Sequence, residues 1–169
     1  QDIVARHLDI PAANVRVIRF RDQTDYWQPR WFLPNWGVFQ RRTGGRLTLV
    51  AEVAVGAQRL AVYNVHLESR EGEDLRLRQI EEVIGDARRY PEGTPMLVAG
   101  DLNTRKPSPP AIAALEKAGF RRAVGGQVTT TRGAPLDWIF VRGGVSFSQG
   151  TIHTDVRTSD HFPLTLQVQ

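Results

Sequence analysis

Met96-Leu97-Val98-Ala99-Gly100-Asp101-Leu102-Asn103-Thr104 is the stretch on which the reading of the fold turns. Its first four residues are an apolar run of strand length that stops at a glycine, and two polar side chains, Asp101 and Asn103, follow. In extended backbone, side chains two apart share a face, so these two are expected to project together from a strand end. An ionised carboxylate accepts hydrogen bonds and can take a proton, while a primary amide can donate to a phosphate or hold a water. The plainer alternative is an Asx-turn in which both serve only their own backbone.

Upstream of this stretch, Leu77, Ile80, Val83, Ile84 and Ala87 fall on one helical stripe, which predicts a helix from Glu73 to Tyr90 that ends before Pro91. Leu47 to Val55 and Leu60 to Leu67 read as two strands joined at Gly56-Ala57, a β-hairpin. Along the second, Leu60, Val62, Asn64 and His66 share one face, and Ala61, Tyr63, Val65 and Leu67 the other. A strand, a crossover helix and a following strand make a βαβ-like unit in a mixed sheet.

Downstream, Ser108-Pro109-Pro110 reads as an N-cap with proline in the first turn of a short helix. That helix runs to Lys117 and stops at Gly119, with Phe120 placed for the hydrophobic contact of the cap. Leu136 to Val141 is an apolar strand interrupted by Asp137, a group costly to bury without a cation or donors beside it. Val145 to His153 and Leu164 to Val168 are further expected strands, with Ser159-Asp160-His161-Phe162-Pro163 between them. Pro163 biases Phe162 toward an extended conformation.

Near the N-terminus, Ile3 to Ala5 and Val15 to Phe20 are candidate strands separated by Asp9-Ile10-Pro11. The loop Tyr26 to Trp36 combines two prolines with Trp27, Trp31 and Trp36 around Arg30. It fits a stacking surface for bases, a lid that touches lipid, or rings that plug one end of the core.

The chain has 169 residues, one domain's worth, and shows no internal repeat, low-complexity segment or linker. It contains no cysteine, which excludes disulfides and thiolate metal sites and is compatible with the cytosol. No apolar run is long enough for a membrane-spanning helix. Lys and Arg number 22 against 18 acidic residues, and Lys106 and Lys117 are the only lysines. Arginine forks onto phosphates, so a polyanionic substrate is compatible, as is a solvated basic surface. Gln1 is not an initiator methionine, and Asp2-Ile3-Val4-Ala5-Arg6 reads as an ongoing strand, so the chain is expected to begin inside a domain.

His66, Asp101, Asn103, Asp137, Asp160 and His161 all sit at strand ends or inside apolar strands. The segments YNVHLES, VAGDLNT, LDWIF and SDHFP, in that order, resemble those of the endonuclease/exonuclease/phosphatase family of deoxyribonuclease I-like fold. The resemblance implies an α/β (α+β) fold, a two-sheet β-sandwich flanked by helices, here lacking its leading strands. It implies a metal-dependent hydrolase of phosphate esters, served by Mg²⁺ or Mn²⁺, since carboxylate and amide oxygens suit a hard cation.

By that resemblance, His66 contacts the scissile phosphate or protonates a leaving group, Asp101 orients and deprotonates the attacking water, and Asn103 holds the phosphate. Asp160 approaches the metal. His161 hydrogen-bonds a phosphoryl oxygen as an imidazolium, with Asp137 as its orienting carboxylate. Asn64 braces the site, and Asn64, Arg70 and Arg105 are the expected substrate contacts. The Gln-Glu dipeptide whose glutamate ligates metal in the family is not found; Gln1-Asp2 is its superficial counterpart.

A rival reading gathers His66, Asp101, Asp160 and His161 around Zn²⁺ or Fe²⁺, although no HxxxH or HxH spacing is present. The expected substrate is a phosphodiester, nucleic acid among the options, with lipid headgroups or small phosphorylated molecules as the alternative. A non-catalytic binding module of the same fold is a third reading.

Overall fold

The computed structural model of the chain describes residues 15–23, 32, 34, 45–55, 58–70, 72–105, 109–148 and 150–168. The strand expected at Ile3 to Ala5, the ligand reading of Asp2, the tryptophans and Arg30 of the aromatic loop, the Gly56-Ala57 turn and Ser108 lie outside these residues.

The hairpin forms where Val-rich and Leu-rich alternation predicts it: β2 (Leu47–Val55) pairs antiparallel with β3 (Gln58–His66), Ala51 opposite Val62. β1 (Val15–Arg19) adds antiparallel to the outer side of β2. From β3 the chain crosses through α1 (Glu73–Ala87) and returns as β4 (Met96–Asp101), parallel to β3. α2 (Pro110–Lys117) leads to β5 (Arg121–Val124) and β6 (Asp137–Arg142), which pair with each other, and β6 pairs antiparallel with β4. Among the described residues the sheet has six strands, in the order β1-β2-β3-β4-β6-β5. A second small sheet of β7 (Thr151–Ile152) and β8 (Leu164–Thr165) completes the α/β architecture.

Alternation sends the side chains to two different layers. Tyr63 and Val65 of β3, Met96 and Val98 of β4, and Trp138 and Phe140 of β6 pack under the helices with Ile80, Val83, Ile84, Ile112 and Leu115. Burying each of the larger of these side chains contributes about 1.5–3 kcal/mol. On the opposite face, Leu60 and Val141 meet Val145, Phe147, Leu166 and Val168 of the C-terminal segment. The core also holds Asp86 of α1, which accepts from the Tyr63 hydroxyl at 2.8 Å and from Arg16 Nη1 at 2.9 Å. Burial and this carboxylate push the Tyr63 hydroxyl far above its ordinary pKa.

Several boundaries differ from the expected ones. α1 ends at Ala87 instead of Tyr90, because the last turn tightens: Arg89 and Tyr90 N–H groups bond the carbonyls of Asp86 and Ala87, three residues back. Pro91 reinforces this by disfavouring a helical Tyr90. α2 begins after Pro109, with Pro110 at its first turn and no side-chain cap. Its far end is as expected: Gly119 takes φ +85°, the Phe120 N–H reaches the Leu115 carbonyl at 3.1 Å, and Phe120 is buried. Of the strands expected over Val145 to His153 and Leu164 to Val168, the described residues form β7, β8 and one bridge, Phe147 to Val168. At Gly150 an added Cβ would lie 1.9 Å from Val124 Cγ2, so the segment dips against β5 there and leaves regular pairing. β5 itself, with only four residues, has no expected counterpart.

Candidate active site

Three neighbouring strands bring the polar residues together. His66 ends β3 and lies opposite Asp101, which ends β4; Asp101 in turn lies opposite Asp137, which begins β6. Parallel pairing of β3 with β4 and antiparallel pairing of β4 with β6 therefore set one side chain from each strand along the same edge. His161 arrives from the C-terminal segment through a bridge with Thr130.

Asp137 and His161 form the tighter pair. The His161 Nδ1 lies 2.8 Å and 3.0 Å from the two Asp137 oxygens. Burial alone would depress the His161 pKa, but the hydrogen bond and charge of Asp137 outweigh it and the net shift is upward. The same carboxylate accepts from Thr129 Oγ1 at 2.7 Å, so the lone carboxylate in the apolar strand is paired on both sides.

His66 and Asp101 are more loosely set, Nε2 to Oδ2 at 3.5 Å. Arg46 Nη1 lies 2.6 Å from His66 Nε2, and Arg46 Nη2 donates to Ser69 Oγ at 2.8 Å. Arginine has no acceptor, so Nε2 is the accepting nitrogen and the proton belongs on Nδ1. Burial first and the Arg46 charge second push the His66 pKa down. Burial pushes the Asp101 carboxyl up, against the Asn103 backbone N–H that donates to it. The site thus holds one histidine biased toward the imidazolium and one biased toward neutral imidazole.

Both readings of the Asp101-Leu102-Asn103 turn are present in one geometry. The Asn103 N–H donates to Asp101 Oδ1 at 2.8 Å, an Asx-turn, while Oδ2 stays toward His66. Asn103 departs from its expected place. It is buried at φ +50°, and its Nδ2 donates to the Leu67 carbonyl at 3.0 Å, tying the end of β4 to the end of β3.

Asn64 lies on the same face as His66 and lines a groove of about 380 Å³ with Leu49, Ala99 and Asp137. Arg70 and Arg105 are exposed and make no hydrogen bond to the four central groups. Asp160 is exposed too; its carbonyl accepts from the Thr131 N–H, and its carboxylate receives Ser159 Oγ at 3.5 Å. Among the described residues no group of three or more His, Cys, Asp and Glu side chains is arranged to hold a metal ion. These residues therefore do not fit a complete divalent-metal site, and the structure does not bring Asp160 into one.

Three contributors escaped the sequence reading. Arg46 directly precedes β2 and touches His66, but a lone arginine before a strand gives no signal. Glu68 Oε1 accepts the Ser69 and Arg70 N–H groups at 2.9 Å and 3.2 Å and so shapes the loop after His66. Thr129 sits in a run of three threonines that reads as an ordinary turn.

A mixed sheet with helices on one face, a second small sheet, and histidine–carboxylate pairs along its strand ends is the deoxyribonuclease I-like architecture. The chain belongs to the endonuclease/exonuclease/phosphatase family, whose model matches residues 10–161. Members of this family are phosphoesterase hydrolases.

Among solved structures, TDP2 of D. rerio complexed with single-strand DNA product is 18% identical, at TM-score 0.64 over 92% of this chain and 66% of that one. A mannosyl-6-phosphatase of Bacteroides thetaiotaomicron is 15% identical, at TM-score 0.61 over 94% and 68%. A Staphylococcus aureus beta toxin variant with bound magnesium ions is 15% identical, at TM-score 0.55 over 70% and 56%. The chain spans only 58% of a humanized D. rerio TDP2, to which it is 23% identical at TM-score 0.57 over 73% of its own length. No curated protein sequence matches it. Among the described residues no helix is long and apolar enough to cross a membrane.

Proposed function

We propose that these residues form the base-and-phosphate portion of a metal-dependent phosphoesterase that hydrolyses a phosphodiester in a nuclease-like manner. The observation that carries this reading is the pairing of Asp137 with His161 beside a second, unlike pair, Asp101 with His66. Hydrolysis needs a water deprotonated and positive charge placed on the phosphoryl oxygens, and unlike pairs divide that work. Asp101 Oδ2, on a carboxyl made more basic by burial, is the oxygen left to take a proton from water. His161, with Nδ1–H on Asp137, presents Nε2–H to a phosphoryl oxygen. His66 contacts the phosphate; to protonate a leaving group through Nε2 it must first lose Arg46. Arg46, Arg70 and Arg105 supply cations around this edge, and Asn103 acts by fixing the two strand ends.

Mg²⁺ or Mn²⁺ dependence, with Asp160 among the ligands, belongs to the proposal for the complete protein. A divalent ion, if bound, would neutralise charge on the phosphate. Calorimetry with Mg²⁺ on this chain is expected to show no tight stoichiometric site, and finding one would refute the misfit of the described donors to a metal ion.

The pH dependence follows from the His161 pairing. The imidazolium is present below its raised pKa and is lost as pH rises through it. Asp137→Asn removes the anion that raises this pKa, so the alkaline limb of the kcat profile is expected to move to lower pH. An unmoved limb contradicts an imidazolium role for His161.

The decisive assay presents the complete protein, with Mg²⁺, with single- and double-stranded DNA, RNA, sphingomyelin and inositol phosphates. The nuclease preference rests on the arginine excess and on Arg30 among tryptophans. Turnover of a lipid or small phosphate ester without cleavage of nucleic acid replaces it with the alternative, and no turnover at all favours a binding module.

A further inference from the structure

We propose that Thr129 is a positioning residue of this site, a third member of a Thr129–Asp137–His161 relay. The proposal deepens the phosphoesterase reading and rests on it for its functional part. Thr129 is fully buried, and its single hydroxyl lies closest to Asp137, with the Ala134 carbonyl farther off at 3.4 Å. Oγ1 donates to Asp137 Oδ2 at 2.7 Å. The same oxygen accepts the N–H groups of Leu136 and Asp137, each at 3.0 Å, and so fixes the backbone from which that carboxylate projects. The Thr129 carbonyl accepts the Phe162 N–H at 2.8 Å, immediately after His161.

One residue therefore grips both members of the pair, the carboxylate by its hydroxyl and the histidine segment by its backbone. A carboxylate turns easily about its terminal bond, with broad two-fold preferences in place of sharp rotamers. A donor on Oδ2 opposes that turning and keeps the face of Asp137 toward Nδ1. Serine supplies the same hydroxyl; valine keeps the shape and removes it.

The test compares Thr129→Val and Thr129→Ser with Thr130→Val in the complete protein. Thr130 is the control for damage to the turn alone: its bridge to His161 runs through the backbone, and among the described residues its Oγ1 bonds the Ala134 N–H and carbonyl. Two readouts are taken: kcat and KM on the best phosphodiester, and the His161 ring nitrogens and Nδ1–H proton by NMR. Thr129→Val is expected to lower kcat about 10–100-fold with KM little changed, by analogy with the outer-shell partners of metal-binding histidines. Its Nδ1–H resonance is expected to broaden into solvent exchange. Thr129→Ser restores both, and Thr130→Val lowers Tm without either change.

Equal losses of kcat in Thr129→Val and Thr130→Val, or a Nδ1–H signal in Thr129→Val identical to the parent's, overturn the relay. If the parent turns over no phosphate ester yet Thr129→Val alone loses the Nδ1–H signal, the positioning role stands and the phosphoesterase reading falls.

Discussion

Asp101→Ala and His161→Ala, each made in the complete protein, are expected to lower kcat about 10²–10⁴-fold, the usual contribution of a positioned acid or base. The structure separates what each change removes. His161 is a third exposed and anchored through Asp137, so its loss takes a donor from the edge without opening the core. Asp101 has two tasks, because Oδ1 closes the turn onto the Asn103 N–H while Oδ2 faces the site. Asp101→Asn keeps a turn-forming oxygen and loses the base, so it should fall as far as Asp101→Ala in kcat while melting closer to the parent. Unchanged turnover in both alanine variants would show that the catalytic assignment is wrong.

The largest effect on stability is expected at Gly100. It takes φ +138°, and a Cβ there would lie 2.0 Å from the Val65 carbonyl oxygen on the adjoining strand. Neither backbone can retreat, since β4 is held between β3 and β6. Gly100→Ala is expected to cost about 4 kcal/mol or more, which for a chain of this size is a fall in Tm of ~10 °C. Because Gly100 directly precedes Asp101, the same shift displaces the carboxylate. Gly85 in α1 has open space around it, and Gly85→Ala is expected to stabilise by up to ~1 kcal/mol. Thermal melts of the two variants check both signs; a Gly100→Ala fall of less than ~2 °C would mean that the sheet accommodates the Cβ.

Much of this fold was legible because its signals are local. Alternation in β2 and β3, the stripe on α1 and the Gly119-Phe120 cap each depend on residues a few positions apart, and each took the expected form. Asp137 was legible for a different reason: a lone carboxylate in an apolar strand must be paired somewhere, and His161 is the partner. The losses are equally physical. Arg46 meets His66 only through the β2–β3 pairing, and Thr129 meets Asp137 only through a turn, so no spacing announces either. For Asn103, which the sequence suggests holds the phosphate, an amide free to do so and one that joins two strands look the same in sequence. The strands around Gly150 were overestimated, since alternation continues there while close packing on Val124 breaks the pairing.

The two layers of the sheet give odd and even positions different meanings. In β3 the odd residues Ala61, Tyr63 and Val65 carry the packing under the helices, and the even ones end in Asn64 and His66. In β4 and β6 the parity reverses: Met96, Val98, Trp138 and Phe140 hold the structure, and the opposite register ends in Asp101 and begins with Asp137. Folding and chemistry are thus written in interleaved letters along the same strands, and substitutions of one set can leave the other untouched. A single inserted residue inside β3 or β4 cannot, because it exchanges the two messages at once and sends a polar group into the hydrocarbon interior.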